Sequence, residues 1–97
     1  MKGKALGIFQ EYVYSKYEIG YYQFLELPLV CQQALWVEFF ESVGIYVYSE
    51  PVFHYGGISY FGFVDGFEFS KIKTDFFKTR PEALSKAIEK AILKVQF

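Results

Sequence analysis

The chain has 97 residues, of which 53% are apolar, 23% aromatic (twelve Phe and nine Tyr) and 22% charged, with a formal net charge of −1. That length supports one core rather than two, the aromatic load excludes a disordered segment, and the near-zero charge excludes a surface built throughout for nucleic acid. The charge is nevertheless uneven: residues 1–70 carry three lysines against eight acids, and residues 71–97 carry six lysines and Arg80 against three acids, leaving −5 and +4. We read this as two parts that attract each other, within or between copies, in preference to a patch for a polyanion. The single cysteine, Cys31, forms no internal disulfide, and residues 1–7 lack the apolar core of a secretory leader, so a reducing cytoplasm is expected. No stretch approaches the ~18 consecutive apolar residues of a membrane span.

In chain order, residues 8–17 mix β-branched and aromatic side chains with charges and read as an edge strand or an extended arm. Residues 18–27 have no clear period and read as a loop anchored by Tyr21, Tyr22 and Phe24. Pro28 then opens a helix that Gly44 closes in a left-handed cap. Leu29, Trp36, Phe39, Phe40 and Val43 share one side of it, Cys31, Glu38, Glu41 and Ser42 the other, and Leu35 and Val37 the flanks. So wide an apolar stripe predicts a contact beyond the helix's own sheet, most simply with a second copy.

Three strands follow, at 45–52, 58–64 and 67–77, with 53–57 as one connection and Asp65-Gly66 as a hairpin turn. Thr79 and Glu82 form a capping box around Pro81, and Leu84, Ala87, Ile88, Ala91, Ile92 and Val95 recur at helical spacing behind it. The fold class expected is α+β: a three- to four-stranded antiparallel meander packed with two helices in the order αβββα. The whole chain is one domain, with residues 1–24 as an N-terminal extension or edge strand and 25–97 as the core. Two helices cover one sheet face. The other needs the N-terminal segment, a second subunit or a ligand, because an open aromatic sheet invites aggregation.

Chemistry is sparse. His54 and Cys31 have no nearby partners at metal-ligand spacing, and Cys31, His54 and Asp65 would make a nucleophilic dyad with an orienting acid only if the fold gathered them. Gly56, Gly57 and Gly62 lack the strand–loop–helix context of a phosphate loop. We therefore expect no cofactor, no metal and no enzymatic activity. Two surface sets remain. Leu35, Val37, Tyr46, Tyr48 and Tyr60 are candidates for a subunit or partner interface, and Lys71, Lys73, Lys78, Arg80 and Lys86 for contact with a polyanion.

The helix–meander–helix order, with Pro28 and Trp36 in the first helix, Gly44-Ile45-Tyr46-Val47 after it, and Gly66-Phe67-Glu68-Phe69 leading to Thr79-Arg80-Pro81-Glu82-Ala83-Leu84, resembles small phage and mobile-element proteins of gut bacteria, some grouped as phage ABA-sandwich-like domains. The resemblance spans about residues 25–96 and implies an α+β sandwich encoded by a prophage or conjugative element, with no assigned activity. The same order is similar to double-stranded RNA-binding domains, whose second helix opens with a lysine cluster over the phosphates. The leading expectation is a non-enzymatic structural or interaction module that forms a homodimer and contacts another protein. The alternative is a duplex-RNA-type binder using the five cations above.

Overall fold

Ala5, Phe9 and Val13 recur every fourth residue, a spacing that lines them along one face of a helix. In the computed structural model, which describes residues 3–66 and 69–94, all three are buried on α1 (Gly3–Tyr17). This segment is therefore neither the edge strand nor the extended arm expected of it. Its β-branched and aromatic residues fit any half-buried surface, and burial of Phe9 in a stacked contact with Trp36, ring centroids 3.6 Å apart, decides for the helix. Glu18, at φ 57°, ends α1 in the left-handed region, its N–H donating to the Tyr14 carbonyl at 2.8 Å. The expected loop at 18–27 instead contains a short helix, α2 (Tyr21–Leu25), which seats Phe24 edge-on to Phe9 at 5.1 Å.

Pro28 opens α3 (Leu29–Ser42), its carbonyl accepting the Cys31 and Gln32 N–H groups, and Gly44 at φ 82° closes it as expected. Trp36, Phe39 and Phe40 are buried, while Leu29 and Val43, expected on the same stripe, lie exposed at the two ends. The wide stripe is explained within the chain. Trp36 and Phe39 meet α1 through Phe9 and Tyr12 on one side, and α3 meets the sheet on the other.

The sheet is an antiparallel meander of β1 (Ile45–His54), β2 (Gly57–Gly66) and β3 (Phe69–Phe77), in spatial order β1-β2-β3. The first hairpin keeps register from Ile45 opposite Gly66 to His54 opposite Gly57, so its turn is shorter than the expected connection. Gly57, at φ 131°, supplies the left-handed step there. Asp65 and Gly66 are the last residues of β2 rather than a turn of their own. In the second hairpin the register slips between Phe61 and Phe63. At this bulge the buried Thr74 hydroxyl accepts the Gly62 N–H at 2.9 Å and donates to the Asp75 carbonyl at 2.7 Å.

α4 (Arg80–Lys94) starts at the predicted cap, with one difference: the Thr79 hydroxyl accepts the Glu82 N–H at 3.3 Å but also donates to the Glu82 carboxylate at 2.9 Å, in place of a bond from the Thr79 N–H. Its stripe of Ala83, Ala87, Ile88 and Ala91 is buried on Val47 and Val64. Gly62 makes this approach possible. A Cβ there would run into the Ala83 carbonyl and sit 2.9 Å from the Ala87 methyl. Gln33, buried on α3, ties the two helices by donating to the Pro81 carbonyl (2.9 Å) and the Ser85 hydroxyl (2.8 Å). The layers are thus sheet, then α3 with α4, then α1 and α2 laid over α3. The architecture is α+β with helices on one face of the meander and the N-terminal helix in the core.

Candidate functional site

Because strand side chains alternate, placing Ile45, Val47, Val64 and Ile72 against the helices turns Tyr46, Tyr48, Phe61, Phe63, Lys71 and Lys73 to the opposite face. Among the described residues no helix covers that face. Its rings cover one another: Tyr48 stacks on Phe63 at 5.2 Å, and Phe61 meets Phe63 at 6.5 Å and Phe76 edge-on at 6.0 Å. Two ammonium groups close the assembly, Lys71 Nζ 4.5 Å from the Phe63 centroid and Lys73 Nζ 4.0 Å from that of Phe61. Phe63 is consequently only 9% exposed on a face without a second layer. The neighbouring Tyr48 hydroxyl, and more weakly Glu50 and Asp65, hold the Lys71 ammonium above the ordinary lysine range.

The second feature is an arm. β3 last pairs with β2 at Tyr60, so beyond it β1 and β2 continue as a two-stranded ribbon. Every residue from Glu50 to Ile58 is exposed, including Phe53 at 75%, and Phe53 sits directly opposite Ile58 with Tyr55 at the apex. Residues 51–64 contain no Asp, Glu, Lys or Arg. His54 stabilises the ribbon locally, its Nε2 lying 2.8 Å from the Ser59 hydroxyl.

The sequence-derived interface set is divided by the fold. Tyr46 and Tyr48 lie on the open face, whereas Leu35 and Val37 are half-buried against the core, and Tyr60 lies under the Arg80 guanidinium at 5.2 Å on the helix side. The dimer contact expected through α3 is thus occupied by the chain's own α1. The five cations are divided as well. Lys71 and Lys73 share the open face. Arg80 is directed to Tyr60 and to the Ser49 hydroxyl (3.4 Å), Lys86 to Glu89 (3.2 Å), and Lys78 lies in the connection between β3 and α4. The arm was missed because Phe53 to Gly57 read as one loop. The absence of charge across residues 51–64 was the available signal.

A polar knot holds α1 on α3. The Glu38 carboxylate accepts the Tyr12 hydroxyl at 2.7 Å, the Tyr17 hydroxyl at 2.6 and 2.8 Å, and the Lys16 ammonium at 3.3 Å. The two tyrosine bonds hold Glu38 below the usual carboxylate range. Burial and the Glu38 bond raise Tyr12, and the Glu38 bond raises Tyr17.

His54 and Asp65 stand at opposite ends of the first hairpin, opposite Gly57 and Tyr46, about 27 Å apart along the strands. Asp65 accepts the Gly66 N–H, so these two residues do not combine with Cys31 as a nucleophilic constellation. Among the described residues no three His, Cys, Asp or Glu side chains gather as a metal site, and no helix is long and apolar enough to cross a membrane. An open cleft of about 680 Å³ between α1 and α2 is lined by Gln10, Glu11, Tyr14 and Ile19. Comparison with known proteins finds no family model, no curated protein and no solved structure that matches this chain.

Proposed function

We propose that the protein is a small non-enzymatic interaction module that forms a homodimer through the β1–β2 arm. The observation that carries this reading is the arm itself: nine consecutive exposed residues present Phe53, Ile58 and Tyr55 on a ribbon with no covering layer. An isolated two-stranded ribbon is marginal in water, and an exposed apolar cluster is normally a contact surface. A second copy fits because a two-fold contact places the same patch on both sides, and the uncharged stretch 51–64 gives no like-charge repulsion when paired with itself.

The duplex-RNA alternative asks for Lys78, Arg80 and Lys86 as one cluster at the start of α4. Arg80 is engaged with Tyr60 and Ser49 and Lys86 with Glu89, which favours the interaction reading. A reducing cytoplasm as the setting is supported by the exposed, unpaired Cys31. A prophage or conjugative-element origin is supported by the helix–meander–helix order and its Thr-Arg-Pro-Glu-Ala-Leu run alone.

Light scattering on the full chain tests the dimer. The wild type should show twice the 11.4 kDa chain mass, and Phe53→Ser with Ile58→Ser should show the chain mass. Should that double variant unfold, Tyr55→Ser at the exposed apex gives the same comparison in a folded protein. A monomeric wild type, or arm variants as dimeric as the parent, would overturn the reading.

A further inference from the structure

The open sheet face is distinct from the arm in chemistry. Where residues 51–59 of the arm carry no charge, the face combines aromatic rings with two cations that, among the described residues, form no ion pair. Among the described residues the ion pairs are Lys16 with Glu38 and Lys86 with Glu89, and neither Lys71 nor Lys73 has a carboxylate oxygen within 4.0 Å. Both ammonium groups instead rest on the rings of Phe63 and Phe61.

We propose that this face binds a single-stranded polynucleotide, its bases stacking on Phe61, Phe63 and Phe76 and its phosphates following Lys71 and Lys73 along β3. Three observations converge on that ligand. First, the rings gather on one sheet surface with centroids 5.2 to 6.5 Å apart, stacked, tilted or edge-on to one another, and stacking of bases on aromatic side chains is tolerant of sequence because every base has a π face. Second, the cations already occupy the positions a base would take. An incoming base displaces the ammonium from the ring, and the four-carbon stem lets it swing to the adjacent phosphate, exchanging a weak exposed cation–π contact for one that releases counterions. Phe63 is nearly hidden in the free chain beneath Tyr48, Phe61 and Lys71, and displacing the ammonium uncovers part of it.

Third, the charges are sorted across the face. Lys71 and Lys73 lie on β3, with the exposed Asp75 two residues beyond them, whereas Glu50 and Asp65 lie on β1 and at the end of β2. A phosphate chain over the Lys71–Lys73 part of β3 therefore meets cations, and its bases turn inward over β2. Nine residues of β3 span about 30 Å, room for roughly five nucleotides. A duplex does not suit this surface, because its paired bases keep their faces from the rings. The inference does not rest on the arm, so a monomeric protein would leave it standing.

Fluorescence anisotropy with labelled oligo-U and oligo-dT of about ten nucleotides tests it, with a duplex of equal length in parallel. The wild type should bind one or both single strands, more weakly as salt rises, and the tighter of the two identifies the sugar. Lys71→Glu with Lys73→Glu should lose at least about tenfold in affinity, whereas Lys86→Glu with Lys94→Glu, the same charge change on α4, should stay within about threefold. Phe76→Ala, at a ring 65% exposed and therefore safe for folding, should weaken binding about fivefold or more. The emission of the buried Trp36 reports that each variant is folded. The inference is overturned by salt-insensitive or absent binding, by equal losses in the β3 and α4 variants, by preference for the duplex, or by a wild-type dimer that the β3 variant alone dissolves.

Discussion

The two faces of the meander solve the same problem in opposite ways. On the covered face the side chains are small: Gly62, Val47 and Val64 meet Ala83, Ala87 and Ala91, and the helix approaches until backbone touches side chain. On the open face they are large, and with no second layer the rings shield each other while two lysines cover them. Close approach requires removing side-chain volume. Exposure to water requires adding amphipathic volume. One face is finished by the chain itself, and the other is left in a state that a ligand can change.

The covered face tolerates added volume least at Gly62. Gly62→Ala should destabilise the protein by about 3 kcal/mol, since the new methyl meets the Ala83 carbonyl and the Ala87 side chain, whereas Gly56→Ala in the arm turn should stay within about 0.5 kcal/mol; urea denaturation measures both. Equal effects would show that α4 does not press on β2. Next in size is Thr74→Val, which leaves the Gly62 N–H without its acceptor and should cost about 1–3 kcal/mol in the same assay.

A smaller stability change but a large surface change is expected from Lys71→Ala with Lys73→Ala. Uncovering Phe61 and Phe63 should raise the binding of a hydrophobic dye several-fold, while Lys86→Ala with Lys94→Ala should leave dye binding unchanged. The smallest effect belongs to the knot at Glu38, where water screens much of the interaction. Glu38→Ala should cost under about 1 kcal/mol at pH 7. Because Glu38 titrates lower folded than unfolded, its contribution is present above the unfolded value of about 4.3 and fades as pH falls through the folded value. Tyr12 and Tyr17 titrate higher when folded, so their part persists below about pH 10 and is lost above it. Wild type and Glu38→Ala should therefore converge in stability in acid, and a constant gap from pH 7 to pH 3 would contradict the assignment.

The α3–meander–α4 order was legible because its boundaries are marked by chemistry that acts locally: Pro28, Gly44 and the Thr79–Glu82 pair. α1 was not legible in the same way. It carries neither a proline start nor a glycine stop, and its aromatic residues favour a strand until Phe9 finds Trp36, a partner 27 positions away. Only the spacing of Ala5, Phe9 and Val13 signalled a helix. The open face was half legible: alternation placed Tyr46 and Tyr48 on one side, yet the slip at Thr74 decides which residues of β3 join them. The arm escaped because a loop and a free ribbon share the same residues, and the difference lies in whether β3 reaches far enough to cover β2.

Hydrogen–deuterium exchange at low and high protein concentration, each with and without a single-stranded oligonucleotide, separates the two working surfaces most directly. Amides of residues 51–59 should gain protection as concentration rises, and the Lys71–Lys73 region should respond only to the oligonucleotide. Arm amides that exchange at the same rate at every concentration would contradict a dimer formed through the arm.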